Sequence, residues 1–115
     1  MQSIKSFTDL EQSKKLAEIL PLKTADMYYR TTIKGVGIVS NVPNIGKRIT
    51  RWDIPCWSLA ALLGVFPEIQ GGKPIIALDD NYITYPHMSD LHTKADNLVD
   101  ACYEMILKLH ELNLL

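Results

Sequence analysis

The side chains best suited to chemistry lie in one basic, aromatic segment: Tyr28, Tyr29, Arg30, Lys34, Lys47, Arg48, Arg51 and Trp52. Guanidinium and ammonium groups contact phosphates, and an indole beside them can stack on a base, so residues 28–52 could form a nucleic-acid surface. The charge distribution sharpens the point. Residues 23–52 hold six basic side chains against Asp26 alone, whereas residues 53–115 hold nine carboxylates against three lysines, in a chain whose net charge is −1. The two parts can equally neutralise each other, inside one fold or across a homo-oligomer. No helix-turn-helix or RNA-binding signature accompanies the segment.

Other constellations are incomplete. Asn41 to Arg48, NVPNIGKR, shares a glycine and a lysine with a phosphate-cradling loop, but Asn41 stands where the first glycine belongs and Arg48 where the metal-binding hydroxyl belongs. Gly35-Val36-Gly37 is followed by Ser40 at the third glycine position of a dinucleotide fingerprint. Cys56, placed in the first turn of an expected helix, could have its thiol pKa lowered by the helix dipole, yet no histidine is near in sequence and buried cysteines are common. His87 and His92, with Asp90 and Asp96, carry ligand chemistry in an expected polar loop, but two histidines five apart without cysteines are weak evidence for a metal. His110 sits among leucines and suits a packed or boundary position better than a ligand. No complete set of nucleophile, base and orienting group can be assembled, so neither an enzyme nor a cofactor is expected.

These groups must be carried by a single small fold. At 115 residues, 47% hydrophobic and 22% charged, the chain suits one globular domain spanning residues 1–115. The charged first 20 residues lack an apolar signal core or membrane segment, which sets a cytoplasmic expectation, and two cysteines imply no disulfide framework. The longest uncharged run, Ile54 to Pro67, suggests a buried central helix, with Asp53 capping, Pro55 in the first turn, and Gly64 and Pro67 as the stop. Thr8-Asp9-Leu10-Glu11 has the form of a capping box opening an amphipathic helix that ends at Pro21.

Met27 to Arg30 and Val36 to Val39 favour strands, Ser40 to Lys47 a loop, and Arg48 to Trp52 a solvated edge strand. Ile75 to Leu78 and Tyr82 to Tyr85 form a hairpin around Asp79-Asp80-Asn81, and Pro86 to Lys94 is expected as a loop. The last helix should start at an Asp96 cap, with Leu98, Cys102, Met105, Leu109 and Leu112 as its apolar stripe, widened by Val99 and Ile106. The fold expected is α+β: a small, mostly antiparallel sheet with three helices, in the order α-β-β-α-β-β-α.

The runs DIPCWSLAALLGVFP and ADNLVDACYEMILKLHELNLL, with SKKLAEILPLKTADM near the start, resemble a group of small uncharacterised proteins from phages and mobile elements of anaerobic gut bacteria. The resemblance covers somewhat under half the chain. It implies a mobile-element context and brings no catalytic or binding residues with it.

Together these features point to a non-enzymatic accessory or protein-interaction protein with an unidentified protein partner. The alternative is a small nucleic-acid-binding protein using Arg30, Lys34, Lys47, Arg48, Arg51 and Trp52. A homodimer is also expected, because the apolar end of the chain, Leu112, Leu114 and Leu115, must dock on its own core or on a neighbour.

Overall fold

Two small sheets and three helices make up the described part of the chain, an α+β fold. The computed structural model describes residues 5–32, 35–39 and 53–115. The first sheet has strand order β2-β1-β3, from β1 (Met27–Thr32), β2 (Gly35–Val39) and β3 (Ile54–Cys56), all antiparallel. The second has order β4-β5-β6, from β4 (Ile75–Ala77), β5 (Tyr82–Tyr85) and β6 (Met88–Lys94), again antiparallel. The helices are α1 (Leu10–Ala17), α2 (Leu59–Leu63) and α3 (Leu98–Glu111).

The expected central helix is divided. Ile54–Cys56 is a strand, and only Leu59–Leu63 is helical, capped by Ser58, whose hydroxyl accepts from the Ala61 N–H at 3.2 Å. Neither Asp53 nor Pro55 plays the helical part assigned to it. Pro55 instead lies opposite Tyr28 on β3, an outer strand of its sheet, the kind of strand to which proline is confined. Ser58 is held by Asp26, whose carboxylate accepts from the Ser58 hydroxyl and from its N–H. Trp57 and Leu62 are fully buried, so the segment is central to the core even though its backbone is mostly not helical.

Residues 88–94, expected as a loop, form β6. Leu91 and Thr93 are buried while Asp90, His92 and Lys94 are exposed, an alternation concealed in the sequence because Thr93 is polar. Thr93 is accommodated by donating its hydroxyl to the Ala101 carbonyl of α3 at 2.8 Å. The β4–β5 hairpin follows expectation: Asn81 takes the left-handed conformation at φ 51°, and Leu78–Asp80 is a short 3-10 turn.

Helix α3 buries Leu98, Val99, Cys102, Met105, Ile106 and Leu109 against β5, β6 and α2. Its cap is Asn97 rather than Asp96, and α1 is closed by an Asp9–Gln12 capping box rather than by Thr8 and Glu11.

Candidate functional site

Of the six proposed nucleic-acid contacts, Lys34, Lys47, Arg48, Arg51 and Trp52 lie outside the described residues or their described side chains. Arg30 is described, and its fork is engaged internally. Nε and Nη2 donate to the two oxygens of Asp53 at 3.2 and 3.3 Å, and the guanidinium stacks 4.8 Å from the centre of the Tyr28 ring. The Asp53 side chain is only 1% exposed, so a buried carboxylate holds the cation. This contact joins the basic and acidic parts of the chain within one fold, leaving Arg30 two-fifths exposed.

Cys56 is the last residue of β3 rather than the first turn of a helix, and it is fully buried. The helix-dipole argument therefore does not apply to it. Burial pushes its thiol above the usual range, only partly opposed by hydrogen bonds from Thr8 and Ser13. Around it lies a polar cluster centred on Thr8. The Thr8 hydroxyl is 2.8 Å from that of Ser13 and accepts from the Trp57 N–H at 3.2 Å; the Thr8 N–H donates to the Trp57 carbonyl at 2.9 Å. The Tyr29 hydroxyl donates to the Thr8 carbonyl at 2.8 Å, and burial raises its pKa to about 12. The cluster locks α1 to β1 and β3, and each of its polar groups has a partner. Sequence reasoning treated Thr8 as a helix cap and so missed this junction.

A second cluster ties α1 to α3. Lys5 Nζ donates to Asp100 Oδ1 at 2.8 Å, Asp9 Oδ2 at 3.1 Å and Gln12 Oε1 at 2.9 Å, while Gln12 Nε2 and Asn97 Nδ2 also donate to Asp100. Burial opposes ionisation of Asp100, but these donors hold its carboxyl below the usual value. Beside the cluster a groove of about 610 Å³ runs between β6 and the outer face of α3, lined by His92, Lys94, Asp100, Tyr103, Glu104 and Lys108 among others.

The histidines do not converge. His87 and His110 are exposed, and His92 is exposed and stacked on Tyr82 with ring centres 5.9 Å apart. No group of three or more histidine, cysteine, aspartate or glutamate residues among those described is placed to hold a metal ion. No helix among them is long and apolar enough to cross a membrane.

The three leucines of the C-terminal end separate. Asn113 is left-handed at φ 59°, its N–H bonds to the His110 carbonyl, and the Leu114 N–H reaches back to Leu109 O at 2.8 Å. This is a Schellman closure, in which the residue after the left-handed one folds back onto the helix. Leu114 accordingly packs on the chain's own core. Leu112 and Leu115 are left 55% and 41% exposed. Leu112 borders a cleft of about 320 Å³ formed with Asp90, Leu91, Lys108 and Glu111.

No family model, curated protein or solved structure matches this chain.

Proposed function

We propose that the chain is a cytoplasmic, non-enzymatic interaction protein, an accessory of a phage or mobile element, that acts through a binding surface and pairs with a second copy. The observation that carries this reading is the C-terminal corner: Leu112, 55% exposed, stands beside the cleft it forms with Leu91 and the charged Asp90, Lys108 and Glu111. An apolar centre rimmed by charges is the usual anatomy of a protein contact. The internal use of Thr8, Ser13, Cys56 and Tyr29 supports a structural rather than a chemical role for the buried polar cluster around Thr8. The mobile-element context is supported by the resemblance of the segments at residues 13–27, 53–67 and 95–115.

Light scattering during size exclusion at low micromolar concentration tests it, on the intact chain and on Leu112→Glu. The intact chain should show the mass of two 13.0 kDa protomers and the variant that of one. Cutting the tail is a poorer test, because it also removes Leu114 from its own core. A monomeric intact chain would overturn the pairing.

A further inference from the structure

Strand β6 ends its sheet: β5 occupies one edge, and no strand among the described residues occupies the other. Which backbone groups face that outer edge follows from the ladder. The Ala95 N–H bonds to Asn81 O at 3.3 Å, and hydrogen-bonded positions alternate along an antiparallel pair. Thr93, opposite Ile83, therefore bonds inward, whereas Lys94 and His92, opposite Tyr82 and Thr84, turn their N–H and C=O groups outward. Lys108 corroborates this from α3, since its Nζ donates to the His92 carbonyl at 3.0 Å. The register slips between Thr84, opposite His92, and Tyr85, opposite Met88, so residues 89–91 have no partner on β5; exposure nevertheless alternates from Asp90 to Lys94. His92 and Lys94 thus lie on the outer edge, and Asp90, exposed in the stretch just before them, continues their alternation.

We infer that this edge pairs antiparallel with β6 of a second copy, with His92 at the two-fold axis. Charge complementarity selects this partner and register. A strand paired with itself about His92 sets Asp90 opposite the partner subunit's Lys94, and Lys94 opposite the partner subunit's Asp90. Two opposite-charge cross-strand pairs form on one face, where such pairs are favourable. Centring the pair on Lys94, the neighbouring outward residue, would instead oppose two lysines. His92 and Lys94 offer outward N–H and C=O groups, so the pairing extends the sheet by ordinary ladder bonds. In a single copy Lys108 caps the His92 carbonyl, one of the ways an open edge is kept from indiscriminate pairing, and in the dimer the incoming strand's N–H takes its place. The groove beside the edge supplies room for that strand, and the exposed corner at Leu112 adjoins the Asp90 end of it.

This inference rests on the self-association proposed above and assigns its seam. The test compares association of the intact chain, His92→Pro, Asp90→Lys, and the double variant Asp90→Lys/Lys94→Asp by concentration-dependent light scattering, with circular dichroism melts as the check on folding. Proline at position 92 removes an outward N–H that β5 does not use, so the protomer fold tolerates it while the seam does not. Both single variants should weaken dimerisation by about tenfold or more, and the double variant should restore what Asp90→Lys loses. A dimer that both single variants leave intact overturns the seam and leaves self-association standing. Failure of the double variant to recover what Asp90→Lys loses overturns the register. A monomeric intact chain, or capture of a foreign extended peptide on this edge in place of a second copy, overturns the proposal.

Discussion

Lys5 Nζ lies 2.8 Å from Asp100 Oδ1, joining the start of the described chain to the first turn of α3 across 95 residues of sequence. Asp100 also serves α3 itself, since the Asn97 amide donates to it while Asn97 Oδ1 caps the Asp100 N–H at 2.8 Å. One carboxylate thus helps stabilise a helix start and a helix–helix junction. Both side chains keep some solvent contact, Lys5 at 22% and Asp100 at 32% exposure, so the ion pair is worth less than a buried one.

Asp100→Asn should therefore lower stability by about 1 kcal/mol at neutral pH. The pH dependence has a definite sign. The folded carboxyl is held below its ordinary value of 3.8, so its contribution is present above about pH 4 and disappears as the pH falls through the lower folded value. Lys5 is raised above 10.5 because its bonds to Asp100 and Asp9 outweigh the opposing burial, so its contribution holds below that pH and is lost as pH rises through the folded value. Urea denaturation of both proteins from pH 2 to 11 checks this, and a stability difference unchanged below pH 3 would contradict it.

Thr8→Val should be more costly than its small change in shape suggests. The substitution strands the Trp57 N–H and the Ser13 hydroxyl in a fully buried site, which costs about 1–3 kcal/mol. Thr8→Ser keeps the hydroxyl and should retain most of the stability. Denaturant midpoints at pH 7 for the three proteins decide the matter; a valine variant within about 0.5 kcal/mol of the parent would show that the cluster contributes little.

Neither cysteine should behave as a reactive thiol. Cys56 and Cys102 are both fully buried, and burial alone pushes Cys102 up to about 12. A chromogenic disulfide reagent at pH 8 should titrate almost no thiol in the native protein and two per chain in urea. Because the folded state favours the neutral Cys102 thiol, the protein should also lose stability as pH climbs above 9.0, where the unfolded thiol ionises. One rapidly titrated equivalent in the native state would reopen a nucleophilic role.

The elements legible in the amino-acid order are those whose evidence is local and periodic. The stripe of Leu98, Cys102, Met105 and Leu109 repeats at helical spacing and is buried throughout, and Asn81 announced the left-handed corner of the β4–β5 hairpin. Ile54–Cys56 and residues 88–94 depart from the sequence expectation for related reasons. A short apolar run has no periodicity that separates strand from helix, and only pairing with β1 turned Ile54–Cys56 into a strand. In residues 88–94 the inward positions include Thr93, whose hydroxyl is satisfied by a carbonyl of α3 that no local pattern announces.

The candidate surfaces depended still more on tertiary structure. Arg30 was visible as a cation, but its closure onto buried Asp53 required β1 and β3 to lie side by side. Likewise the apolar ending Leu112-Asn113-Leu114-Leu115 could be read from the sequence, whereas the assignment of its leucines could not. Asn113 in a left-handed conformation turns Leu114 back onto the core and leaves Leu112 in water, because backbone geometry, not hydrophobicity, sets the direction of each side chain at a helix end.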